Sequence, residues 1–376
     1  MINTDELRSR FYSTFGKPAA SAGWAPGRVN LIGGHVDYNQ GLVLPIAVDK
    51  GIAAAVKPRQ DSGFHAISIE LDQRVDLEDL PQTPIDSFAD YLIGVLHELH
   101  ALGMRRCGWD VMTWGDLPIG SGLSSSAALE ISFGLAACSA SGFQTGRKEL
   151  ALACQRAENR FVGVNCGILD QFASALGTAD HALLIDCRSL EYEPIALPEG
   201  ALEIVVIDSG SSRTLAGSGY NKRRSECEQA ARLLGVQSLR DASMNMLSEI
   251  VLDPVLHRRA KHVITEIERV REGVNALRSK DLRRFGELIN LSHASLRYDY
   301  EVSAPELNLL CELAGNVPGV LGSRLVGAGF GGCTIHMTQR GIFDALRQSI
   351  VNAYEERTGL HPTAMLFSAA EGASLK

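Results

Sequence analysis

Residues 115–140 read GDLPIGSGLSSSAALEISFGLAACSA, and the choice of fold turns on this stretch. Gly120 and Gly122 leave backbone N–H groups unobstructed, and Ser124, Ser125 and Ser126 add three hydroxyls. The apolar run behind them reads as a long helix whose N-terminus faces the loop. Free amides, hydroxyls and the positive end of a helix dipole together suit an anion such as phosphate. An ordinary helix cap needs one serine. Three serines after two glycines point instead to a phosphate cradle formed by Gly120, Ser121, Gly122, Leu123, Ser124, Ser125 and Ser126. No GxxxxGK[ST] occurs, which excludes a Walker-type nucleotide loop. Gly327, Gly329 and Gly332 fit GxGxxG, but they lead into the strand-like CTIHMT, where a dinucleotide fingerprint requires a helix.

Working outward from the loop, WDVMTWG (109–115) reads as a strand, and FADYLIGVLHELHAL (88–102) sets Leu92, Val95, Leu96 and Leu99 at helical spacing. From Trp24 to about Ile69, glycine punctuation separates short runs of Val, Ile and Ala, the pattern of strands and tight turns. Downstream, ALEIVVIDSG (201–210) is a buried strand that follows a turn at Leu197–Gly200. Beyond it Val263, Ile264, Ile267, Val270, Val274 and Leu277 form one helical stripe, and Ser279 is read as opening a second helix. SRLVGAGFGGCTIHMT (323–338) is strand, glycine turn, strand. The expected fold class is α+β, with two domains, 1–198 and 199–376, whose glycine loops converge on a shared cleft.

With 376 residues, 45% of them hydrophobic, the chain buries a large core. Its net charge of -8 and short, dispersed basic clusters speak against nucleic acid as a partner. None of the eight cysteines forms a CxxC pair, so a zinc site is not expected. No apolar run reaches membrane-spanning length and no signal-peptide pattern opens the chain, so a cytoplasmic protein with no membrane partner is expected. The oligomeric state is left open.

Three motifs, GRVNLIGGHVDYNQGLVLP (27–45), the GLSSS loop and VGAGFGGC (326–333), agree in order and spacing with the galactokinases of the GHMP small-molecule kinase superfamily, which the chain resembles over nearly its whole length. The resemblance extends to AENRFVGVNCGILDQFASALG, SGYNKRRSECE and SLRYDYEVSAPEL. It implies an N-terminal α+β domain and a ferredoxin-like C-terminal domain with the active site between them. It also implies ATP and Mg²⁺ as cofactors and transfer of the γ-phosphoryl group to the anomeric hydroxyl of D-galactose.

By the same resemblance, Ser126 and Glu158 match the magnesium-holding positions. Asp170 matches the catalytic aspartate and Arg28 the arginine beside it. The carboxylate takes the sugar's proton while the guanidinium offsets phosphate charge. Read without the family, Arg28 and Asp170 are as well explained by a buried ion pair, and Glu158 by a surface carboxylate. His35, Asp37, the backbone around Gly167 and Tyr220 match positions that contact galactose, with Asp37 accepting from two neighbouring hydroxyls; alone, the DYN run reads as a turn cap and His35 as a structural histidine.

Two departures from the family stand out. Galactokinases usually read GEH where this chain has Gly34 before His35, so a glutamate that bonds the hydroxyl on carbon six is missing. That leaves three substrates in view: galactose itself, L-arabinose, which lacks the hydroxyl, and galacturonate, whose carboxylate a glutamate repels. Ala328 also stands where relatives carry a third glycine, and would be strained if that position needs positive φ. A weakly catalytic, galactokinase-like sugar sensor is the alternative class. Trp109 or Trp114 is either part of a nucleotide pocket or core.

Overall fold

The computed structural model describes residues 3–117, 122–211 and 216–376, without the side chains of 216–218. Its strands are β1 (Ser21–Ile32), β2 (Leu42–Pro58), β3 (Phe64–Ser68), β4 (Gln73–Leu77), β5 (Trp109–Gly115), β6 (His181–Asp186), β7 (Tyr192–Ala196), β8 (Leu202–Asp208), β9 (Val320–Val326), β10 (Cys333–Gln339), β11 (Thr363–Phe367) and β12 (Ser374–Leu375). Helices are α1 (Thr4–Phe15), α2 (Ala89–Ala101), α3 (Ser125–Ser141), α4 (Arg147–Ala157), α5 (Leu169–Leu176), α6 (Ala216–Leu233), α7 (Met244–Glu249), α8 (Pro254–Arg278), α9 (Leu282–Tyr298), α10 (Pro305–Gly315) and α11 (Phe343–Thr358). The chain thus builds an α+β fold around two sheets.

The first sheet runs β12-β1-β2-β5-β3-β4, with β6 paired onto the start of β2 and β7 onto β6. Its centre is buried on both faces, so β1 and β2 carry nearly continuous apolar runs rather than a period-two alternation. Helix α3 lies against β1 and β2 and is apolar nearly all round, as a fully enclosed helix must be. The approach is close enough that a Cβ at Gly23 would sit 2.3 Å from the Ser132 carbonyl oxygen.

The second sheet runs β11-β8-β10-β9, antiparallel throughout. In chain order that is fourth, first, third, second, with helical crossovers after β8 and β10: the ferredoxin-like arrangement. The two sheets take their strands from either side of residues 197–200, except that β12 returns to pair with β1. Helix α8 also packs against β2. Its apolar stripe, including Val263, Ile267, Val270 and Val274, is buried as its period predicts.

Two details differ from the sequence reading. Ser279 closes α8 instead of opening α9; Asp281 accepts from the Arg284 amide and is the true N-cap. Trp109 is wholly buried in the core edge-on to Phe133, and Trp114 packs near α1 under the Arg10 guanidinium, so neither lines the cleft described below. Among the described residues, no helix is long and apolar enough to cross a membrane. Among the described residues, none of the cysteines is joined in a disulfide.

Candidate active site

A cavity of ≈ 530 Å³ opens between the two halves of the chain, lined from the first half by Arg28, Gly34, His35, Asp37, Glu158, Gly167 and Asp170 and from the second by Tyr220, Arg324, Gly327 and Ala328. Ten of the residues singled out in the sequence therefore border one space. Gly120 and Ser121 lie outside the described residues.

One end of the cavity holds an ion pair. Arg28 on β1 donates Nε and Nη2 to the two carboxylate oxygens of Asp170, both at 2.8 Å, a bidentate geometry that fixes the carboxylate plane. The same guanidinium donates Nη1 to the Gly122 carbonyl at 2.5 Å, and the Arg28 amide donates to the Leu123 carbonyl at 3.0 Å. Ser124 donates its hydroxyl to Asp170 Oδ2. The described end of the glycine and serine loop is thereby bolted to the pair by three hydrogen bonds. Ser124 holds φ 59, a left-handed conformation that costs a serine energy and that this bonding maintains.

Behind the pair, Ser126 Oγ lies 3.4 Å from Glu158 Oε1. Glu158 is only 6% exposed, not the surface carboxylate that an isolated helix position suggests. Burial, then the charge of Asp170, pushes its pKa up to about 7. Gln171 donates Nε2 to Glu158 at 2.7 Å and to Glu130 at 3.2 Å. Glu130 is fully buried, and burial together with Glu158 drives its pKa well above the carboxylate range. The sequence reading missed Glu130 and Gln171. A carboxylate inside the apolar run of α3 was the available signal, since such a group is rarely buried without a role.

At the other side of the cavity, Asp37 heads a short 3-10 turn, Asp37–Asn39, and its carboxylate presses against the backbone of Gly167, where a Cβ would lie 2.0 Å from Oδ2. Burial, and then the Asp170 charge, raises the Asp37 pKa to about 6. His35 has both ring nitrogens engaged: Nε2 with the Ala328 carbonyl at 3.1 Å and Nδ1 with the Tyr38 hydroxyl at 2.9 Å. Burial and neighbouring positive groups lower its pKa to about 3, so the ring is neutral. A carbonyl only accepts; Nε2 therefore carries the proton, and Tyr38 donates to Nδ1. Tyr38 in turn bonds Tyr300 at 2.7 Å. His35 thus ties the Asp37–Asn39 turn to the third glycine motif, and its ring, with that of Tyr220 at 5.8 Å, forms part of the cavity wall.

In that motif, Ala328 is not at positive φ; the strained residue is Phe330 at φ 59, between Gly329 at 79 and Gly331 at 119. The alanine is therefore accommodated without the expected strain.

The chain's likeness to known proteins follows the same geography. The family model described as the galactokinase galactose-binding signature matches residues 9–58, the GHMP kinases N terminal domain matches residues 90–178, and the GHMP kinases C terminal model matches residues 274–355. A galactokinase of Roseiflexus sp. (strain RS-1) is 42% identical over 99% of this chain and 97% of its own. The crystal structure of Lactococcus lactis galactokinase complexed with galactose superimposes with a TM-score of 0.93 at 33% identity, covering 99% of each chain. A mevalonate kinase from Methanococcus jannaschii shares the fold at a TM-score of 0.66 and 17% identity, over 92% of this chain and 97% of that one.

Proposed function

Because the chain belongs to the galactokinase family of GHMP kinases, we propose that it transfers the γ-phosphoryl group of ATP to the anomeric hydroxyl of D-galactose, giving galactose 1-phosphate and ADP. One observation carries the assignment of roles: the Arg28–Asp170 pair is bonded directly to the Gly122–Ser124 loop and opens on the same cavity as Asp37. Phosphate and sugar sites meet there.

Asp170 accepts the proton of the anomeric hydroxyl as that oxygen forms its bond to the γ-phosphorus and the bond to the bridging oxygen of ADP breaks. Arg28 holds the carboxylate in place and faces the transferring charge. Base catalysis of this kind contributes about 10²- to 10⁴-fold, and alignment of the reactants supplies the larger share. Asp37 reads two neighbouring sugar hydroxyls against the Gly167 backbone, and a wrong epimer leaves its carboxylate unpaired. Tyr220 closes the sugar's apolar face, and His35 positions the turn. Gly122 to Ser126, with Gly120 and Ser121, cradle the triphosphate at the N-terminus of α3.

The donor set fits Mg²⁺: Ser126 and Glu158 present hard oxygens, and the cost of keeping Glu158 ionised beside Asp170 is one that a divalent cation removes. When bound, the ion neutralises charge on the phosphates. ADP release measured with and without galactose tests the reading. Sugar-dependent turnover is expected; tight sugar binding without turnover would instead mark a sensor.

A further inference from the structure

Gly34 removes a side chain from the cavity wall, and what it uncovers is a cation. A Cβ at this position would lie 2.8 Å from Nη2 of Arg324, and 3.4 Å from the nearest Leu296 carbons. Arg324, on β9, is 1% exposed overall, yet it lines the cavity. Its Nε donates to the Leu325 carbonyl at 2.9 Å and its Nη1 to the Leu31 carbonyl at 3.4 Å, while Nη2 has no hydrogen-bond partner among the described residues.

The charge around it does not balance. Glu266 on α8, fully buried, is the nearby carboxylate, 3.8 Å from Arg324 Nη1. It is already shared: its Oε2 pairs with Arg269 at 2.7 Å, and its Oε1 accepts from the amides of Gly33 and Gly34 and from Ser292. The histidines near Arg324, His35 and His293, are both held neutral, chiefly by burial. Two guanidinium groups therefore face one carboxylate, leaving a surplus positive charge in a wall where an unpaired ion is costly. The Arg28 pair is self-compensated by Asp170.

We propose that Arg324, exposed to the substrate by Gly34, is a specificity-determining residue that lets this enzyme phosphorylate galacto-configured sugars bearing a carboxylate on carbon six, D-galacturonate in particular, alongside galactose. The inference rests on the kinase reading above and on the family resemblance, which sets position 34 beside carbon six of the sugar. The sugar carboxylate takes the free Nη2 as a charge-assisted hydrogen bond. The chemistry is unchanged: the anomeric oxygen bonds to the γ-phosphorus, the bridging bond to ADP breaks, and the proton goes to Asp170. A glutamate at position 34 would both pair with Arg324 and repel the substrate.

The test is kcat/KM with MgATP for galactose, galacturonate and L-arabinose, in the wild type and in Gly34→Glu. Gly34 is not at positive φ and the nearest atom in the way is a side-chain nitrogen of Arg324 rather than backbone, so the variant has room to fold. The wild type is expected to turn over galacturonate with kcat/KM within about tenfold of galactose. Gly34→Glu should lower the galacturonate-to-galactose ratio by about 10- to 100-fold, the worth of a charged hydrogen bond. The proposal is overturned if galactose is phosphorylated and galacturonate stays below about 1% of it. It is equally overturned if the variant leaves the ratio unchanged, or if arabinose suffers as much as galacturonate, which would mean space rather than charge. Absence of turnover with every sugar would overturn the kinase reading itself.

Discussion

Replacing Gly167 by alanine isolates the role of Asp37 without touching a charge. Gly167 is not at positive φ, so alanine suits the backbone. The added Cβ would stand 2.0 Å from Asp37 Oδ2 and 2.8 Å from its Cγ. Restoring an ordinary 3.4 Å contact requires the carboxylate oxygen to retreat by 3.4 − 2.0 = 1.4 Å. Asp37 cannot shift as a unit, because its carbonyl accepts from the Gln40 amide and Val36 accepts from Asn39 and Gly41. The carboxylate must swing away from the sugar instead. A misplacement of about 1 Å in a reacting site costs about 10²-fold, which corresponds to about 2.7 kcal/mol of transition-state stabilisation. Gly167→Ala should therefore lower kcat/KM for galactose about a hundredfold in a coupled ADP assay, with KM for ATP and the melting temperature nearly unchanged. A folded variant within about threefold of wild type would refute the placement of Asp37 as the reader of the sugar.

Other outcomes follow from the same geometry. Since the Asp37 pKa is raised to about 6 by burial and Asp170, the group gains a proton as pH falls through that value. The Kd for galactose, measured calorimetrically without nucleotide, should weaken about tenfold per pH unit below pH 6 and level off above it; a flat profile from pH 5 to 8 contradicts this. Glu266→Gln keeps an acceptor for the Gly33 and Gly34 amides but leaves Arg269 and Arg324 uncompensated. It should cost about 3 kcal/mol in denaturant unfolding, the toll of breaking a buried pair, whereas a loss below about 0.5 kcal/mol would mean that the cluster is not holding the fold. Burial alone would raise the Glu266 pKa, but Arg269, His262 and Arg324 hold it down at about 2, so its contribution persists above pH 4.5 and fades only as pH falls through that low value.

The site was legible where function forces rare residue combinations into short stretches. Two glycines and three serines before an apolar run single out the loop that bonds the Arg28–Asp170 pair, and Asp37 and Asp170 fall in equally compact motifs. What stayed hidden depends on distant pairs. Glu266 and Arg269 lie three residues apart on α8, and only the tertiary packing that brings α8 beneath Gly33 and Gly34 shows what they hold. Arg324 sits in an ordinary strand pattern, and only the β9 register brings it opposite Gly34. Asp281, not Ser279, caps α9 because capping depends on the local backbone, which residue type alone does not decide. The concern over Ala328 dissolved similarly: the positive φ values fall on its neighbours.

The account depends above all on Asp170 as the group that takes the sugar's proton, and Asp170→Asn tests it most directly. Asparagine preserves the shape and one acceptor for Arg28, so ATP and galactose should still bind with Kd changed by less than about tenfold. Single-turnover phosphoryl transfer to galactose should fall by about 10²- to 10⁴-fold. A variant that transfers phosphate at more than about a tenth of the wild-type rate would contradict the assignment and return the Arg28–Asp170 pair to a structural role.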